Sequence, residues 1–184
     1  AFYSVSANAS NNHAVASVTV GNIEMNTQGY DNGYDFIYGL WSDVANQYSA
    51  SVENAHSNVN IGNITMNVDS TDGTATARID YIGATIDATG WHGSHTANEA
   101  ISNSANIVVG NIDISAGKLI NSSGDATAEI YQIQASTFGE DSLGHNNNVS
   151  VTIGDINLEA RANDGQGYAG IESTVLAKTY AGTN

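Results

Sequence analysis

The stretch Val18-Thr19-Val20-Gly21-Asn22-Ile23-Glu24-Met25 governs the reading of this chain, because its centre returns three times, as Ile61-Gly62-Asn63-Ile64, Val109-Gly110-Asn111-Ile112 and Ile153-Gly154-Asp155-Ile156. The glycines stand 41, 48 and 44 residues apart. A period in this range marks a repeat architecture in which each unit buries its apolar face against its neighbours. Scaffold roles therefore stand ahead of catalysis. Inside the unit the apolar alternation changes phase, since Val18 and Val20 are followed by Ile23 and Met25. A Gly-Asn or Gly-Asp pair between two short strands supplies the bulged or left-handed backbone that turns the chain and keeps both apolar sets inward. Gly21, Asn22, Gly62, Asn63, Gly110, Asn111, Gly154 and Asp155 are accordingly read as structural corners.

A second unit lies between these: Asp35-Phe36-Ile37-Tyr38-Gly39-Leu40, Ala77-Arg78-Ile79-Asp80-Tyr81-Ile82, Ala128-Glu129-Ile130-Tyr131-Gln132-Ile133 and Ala169-Gly170-Ile171-Glu172-Ser173-Thr174-Val175. It has the same phase break, and laying Val20 on Ile79 also lays Ile23 on Ile82. The period then divides into two segments of roughly 22 residues, eight in all. The expected fold is all-β, a single domain over residues 1–184: a β-solenoid of about eight short coils, about 40 Å long at ordinary strand spacing. The alternative is an antiparallel β-sandwich, with Asn32-Gly33, Asp72-Gly73 and Asp164-Gly165 as its hairpin turns.

Composition narrows the partners. The chain has 184 residues, 41% of them hydrophobic, and a net charge of −15. Arg78, Lys118, Arg161 and Lys178 are its cations. No basic stretch offers a nucleic-acid surface, and no apolar run reaches the length of a membrane span. With no cysteine there is neither disulfide nor thiolate chemistry. The sequence begins at Ala1 rather than Met, which reads as a removed leader or an excised fragment, and secretion is the expectation.

The cadence Val-x-Ile/Val-Gly-Asp/Asn-Ile, then a stretch rich in Asp, Gly, Ala and Thr, then Ala-x-Ile, resembles the long β-strand-repeat proteins of bacterial cell surfaces, whether surface-layer-like, sheath-like or adhesin-like. The resemblance covers about Ala14 to Ala177. It implies an exported, self-associating structural protein without an active site. Independently of that likeness, a stack of strands has open ends that invite another copy. Ala1–Ala9 and Ser173–Ala181 both read as strands, with residues 1–13 a candidate subunit-contacting segment and the chain itself the expected partner. The expected function is a non-enzymatic subunit of an extracellular filament, sheath or surface array. The alternative is a glycan- or calcium-dependent adhesion module.

Two sets of residues favour adhesion. Tyr30, Tyr34, Phe36, Tyr38, Trp41 and Tyr48 crowd one region and offer rings for a surface glycan or a protein interface. Gly33-Tyr34-Asp35-Phe36-Ile37 matches the core of a calcium-binding nonapeptide, and Asp31, Asp35, Asp69 and Asp72, with Glu140, Asp141 and Asp164 in other turns, are candidate calcium ligands. Against this, a single nonapeptide match lacks stacked neighbours, and acidic turn residues ordinarily form solvated turns. No cofactor is required by the sequence. His92 and His95 are the close histidine pair, two ligands short of a closed zinc site. Asn8, Asn63, Asn121 and Asn148 open glycosylation sequons of a kind that an Asn- and Ser-rich chain produces by chance. No nucleophile elbow, phosphate loop or zinc-protease motif is present.

Overall fold

The structure, a computed structural model, describes residues 1–45, 51–88, 99–117, 124–139 and 146–181. These form strands and no helix. In chain order they are β1 (Phe2–Ser10), β2 (Val15–Val20), β3 (Ile23–Gly29), β4 (Gly33–Ala45), β5 (Ser51–Glu53), β6 (His56–Ile61), β7 (Ile64–Ser70), β8 (Ala75–Asp87), β9 (Glu99–Ile101), β10 (Ser104–Val109), β11 (Ile112–Ala116), β12 (Ala126–Gly139), β13 (Asn148–Ile153), β14 (Ile156–Ala160) and β15 (Gly167–Ala181).

Three parallel sheets carry the architecture: β1-β4-β8-β12-β15, β2-β6-β10-β13 and β3-β7-β11-β14, with β5-β9 a small fourth. Each strand pairs with its equivalent one repeat away. Val18, Val59, Ile107 and Val151 form one column. Ile23, Ile64, Ile112 and Ile156 form another, and Ile37, Ile79, Ile130 and Ile171 a third. All of these pairings are parallel, an arrangement consistent with a β-solenoid. Parallel sheets need both faces served and a long connection between partners; here the connection is the rest of the repeat.

Two expectations are corrected. The antiparallel alternative fails because Asn32-Gly33, Asp72-Gly73 and Asp164-Gly165 join strands of different sheets rather than hairpin partners. The count of eight coils also fails. Val20 pairs with Ile61, not with Ile79, so the stacking unit is the whole period and the chain makes four passes. The second unit is one long strand, β4, β8, β12 or β15, whose phase break is a bend within the strand. Ile79 and Ile82, three apart, are both fully buried, and β15 carries an added residue at the equivalent place, where the register shifts. A bend of this kind lets both halves of a long strand keep their apolar residues inward.

The core is correspondingly simple. The apolar columns of the three sheets form one buried cluster rich in Ile, Val and Ala. A left-handed residue stands two positions ahead of each strand of the β2 sheet: His13 (φ 58°), Asn54 (φ 51°), Ser102 (φ 55°) and Asn146 (φ 60°). Asn accepts this backbone more readily than most residues. Ile82, in the middle of its column, is completely buried. Ile82→Ala is expected to lower unfolding stability by about 2–5 kcal/mol, read from urea denaturation followed by circular dichroism.

Candidate functional site

The corners expected from the sequence assemble into a single column. The side-chain Oδ1 of Asn22 accepts a hydrogen bond from the backbone N–H of Asn63 at 2.9 Å. Asn63 Oδ1 does the same for Asn111 at 2.9 Å, and Asn111 Oδ1 for Asp155 at 3.0 Å. The glycine before each corner makes room for this contact. A Cβ on Gly62 would lie 2.4 Å from Asn22 Oδ1, on Gly110 2.4 Å from Asn63 Oδ1, and on Gly154 2.2 Å from Asn111 Oδ1. Gly21, at the first repeat, has nothing within 4 Å of that position. The column therefore starts with an open glycine and finishes with the carboxylate of Asp155, in the place from which each earlier Asn accepts.

The neighbouring strands end in the same open fashion. β1, β2 and β3 are the edges of their sheets on one side, and β13, β14 and β15 on the other. Ile130 and Ile133 are fully buried, yet their partners in the last strand, Ile171 and Val175, are 41% and 43% exposed. Val149, Val151, Ile153 and Leu158 are only partly covered. An edge that carries the apolar column to its rim is a template for another strand.

The aromatic candidates meet differently from a flat platform. Tyr3 stacks on Tyr38 with ring centroids 5.4 Å apart, Tyr38 on Phe36 at 5.6 Å, and Phe36 on Tyr34 at 6.0 Å. Rings stacked in a row cover the faces they turn to one another, although Tyr3, Tyr34 and Tyr38 stay exposed. Trp41 lies over Gly39, where a Cβ would fall 2.5 Å from its ring. Tyr30 stands apart from the row, its hydroxyl hydrogen-bonded to Asp72, which raises its pKa. Tyr48 lies outside the described residues.

The acidic candidates do not converge. Among the described residues no group of three or more His, Asp or Glu side chains is placed to hold a metal ion. Asp35 is buried; its Oδ1 accepts from Thr27 Oγ1 at 2.6 Å, and its Oδ2 is without a hydrogen-bond partner. Asp31 takes part through its backbone oxygen, which accepts from Ser70 Oγ at 2.8 Å. Asp72 donates its backbone N–H to Tyr30 O at 2.8 Å. Asp69 sits opposite Gln28 in the β3–β7 register. His92, His95, Glu140 and Asp141 lie outside the described residues.

One titratable cluster has no counterpart among the sequence expectations. Arg78 pairs with Asp80, reaches Glu129 Oε2 at 3.7 Å, and sits 5.3 Å from the centre of the Tyr131 ring. Burial, then a hydrogen bond with Glu172, pushes the Glu129 carboxyl up to about 7, against the opposing pull of Arg78. Glu172 lies on β15 and Glu129 on β12, so the pair spans the last two strands of the sheet. The two residues are 43 apart in sequence, on strands that pair at intervals of 41 and 42.

Gly62→Ala, which drives a methyl group into the corner column, is expected to destabilise the chain by about 1–3 kcal/mol, while Gly21→Ala stays within about 0.5 kcal/mol; urea titration of both variants checks this. For Glu129, the folded chain holds the proton more tightly than the unfolded one. Its contribution is complete below the ordinary value of 4.5 and is lost as pH rises through about 7. Glu129→Gln is therefore expected to flatten the fall in melting temperature between about pH 5 and pH 8, read by thermal scans across that range.

Comparison with protein-family models, with curated proteins and with solved structures returned no match.

Proposed function

We propose that the chain is a non-enzymatic structural subunit that stacks end to end with copies of itself into an extracellular filament, sheath or surface array, as a β-solenoid extended from molecule to molecule. One observation carries the reading. Within residues 1–184 the corner column has Gly21 open where its three equivalents are each filled by the preceding Asn side chain. A second copy completes it: its Asp155 carboxylate takes the place beside Gly21 and accepts from the N–H of Asn22. The edge strands and the half-covered Ile171 and Val175 supply the remaining surface.

Charge sets the conditions. A subunit carrying −15 repels its own kind over a Debye length of about 10 Å at 0.1 M salt. The same charge hydrates the sides of the assembly and limits lateral clumping. The adhesion alternative ranks second because the aromatic row is stacked on itself and, among the described residues, no three acidic candidates are placed together to hold a metal ion.

Electron microscopy and light scattering of the purified chain test the proposal. Filaments of one width are expected, elongating faster at about 0.3 M than at about 0.02 M sodium chloride. Gly21→Val is expected to keep the melting temperature of the subunit and to abolish elongation. A monodisperse monomer at every salt concentration, or normal elongation by Gly21→Val, overturns the reading.

A further inference from the structure

Within residues 1–184 the described strands divide unequally among the three main sheets: the sheet containing β4 holds five, and the other two hold four each. In an end-to-end filament this inequality constrains every joint. If β13 and β14 of one copy stack directly on β2 and β3 of the next, the two four-stranded sheets and the corner column continue without a break. In the third sheet, however, β15 of the first copy and β1 of the second then fall in the same layer, both beside β4 of the second. Two strands cannot share one slot. The other joint, with β15 pairing to β1, keeps both strands but opens a gap of one strand spacing, about 4.8 Å, in each four-stranded sheet. That gap would leave Val149, Val151, Ile153 and Leu158 facing no partner.

We infer, on the basis of the filament reading, that assembly proceeds by strand exchange: β1 leaves its place on β4, and β15 of a second copy of this chain enters it. β1 is then an internal plug that covers the growing end of the free subunit. The two strands reach the same levels of the sheet, β15 with one residue more than β1 between them. β1 places Phe2 on Ile37 and Val5 on Leu40; through the columns, β15 places Ile171 and Val175 at those same levels. They are unequal in extent. β1 spans Phe2–Ser10 and pairs with β4 from Ile37 to Ala45, whereas β15 spans Gly167–Ala181 and follows its partner β12 along its whole length, from Ala126 to Gly139. The incoming strand therefore offers a ladder along all of β4, including Gly33–Phe36.

The hinge is distinctive as well. Before β2 the chain has two left-handed residues, Asn11 (φ 75°) and His13 (φ 58°), where each later repeat has one among the described residues. Asn11 Oδ1 is buried without a hydrogen-bond partner. Tyr3 on β1 is 74% exposed. Releasing β1 thus frees an orphaned polar atom, while it gives up the hydrogen bond from the Asn11 N–H to Ala45 O at 3.3 Å.

A reversible lock tests the exchange. Asn8 and Asp43 are partners across β1 and β4, and the chain has no cysteine of its own. Asn8→Cys with Asp43→Cys, oxidised, staples the plug in place; Thr76→Cys with Thr127→Cys staples an internal pair of the same sheet as the control. The expected result is that the oxidised β1 lock elongates at least tenfold more slowly than wild type, recovers on reduction, and that the control lock elongates normally in both states. Recovery on reduction also shows that the substitutions leave the fold intact. Wild-type filaments with an oxidised β1 lock that elongates at the wild-type rate, or with both locks inhibiting equally, overturn the exchange and leave the filament reading standing. A wild-type chain that never elongates removes both.

Discussion

A parallel strand depends on its equivalent one repeat away for its backbone hydrogen bonds, and that dependence shapes the rest of the molecule. Because partners are 41 to 48 residues apart at the corners, no strand among the described residues is served by a local hairpin. Every repeat must return to the same three directions before the ladder can close. Registers place like on like across the sheets: Ile64 on Ile112, Val18 on Val59, Asn58 on Asn106. One slipped residue would turn a whole apolar column outward.

The corners convert this constraint into sequence. Gly at Gly62, Gly110 and Gly154 leaves the space that the preceding Asn side chain fills, and that side chain in turn accepts a backbone N–H which the bend takes out of the ladder. Elsewhere the same device recurs with other residues: Asn103 Oδ1 accepts from the Ala55 N–H at 2.9 Å, and Asn147 Oδ1 from the Asn103 N–H at 3.0 Å. Short amide side chains satisfy bent backbone without demanding core volume. The richness in Asn therefore follows from the number of corners as much as from surface solubility.

In the proposed assembly, the columns that stack one repeat on the next also stack one copy on another. The same columns that hold one repeat on the next run out to β1–β3 on one side and β13–β15 on the other. Net charge opposes contact between copies, and burial with the neighbouring Glu172 raises the Glu129 pKa. Under the proposed reading, attraction at the ends and repulsion along the sides together favour linear growth over clumping.

The repeating Gly-Asn-Ile unit and the single-residue alternation around it were enough to establish strands, inward faces and the corner positions, because these depend on local backbone chemistry and on period-two burial. The same local signals misled on the size of the repeat. A phase break looks alike whether the chain turns between two sheets, as at Gly62-Asn63, or bends within one strand, as between Ile79 and Ile82. Hydrogen-bond partners alone separate the two, and partners lie a full period apart. Tertiary structure also decided which aromatics stack, left Asp31, Asp35, Asp69 and Asp72 unconverged, and brought Glu129 to Glu172. Each of these follows from register between distant strands, a relation that no window of neighbouring residues contains.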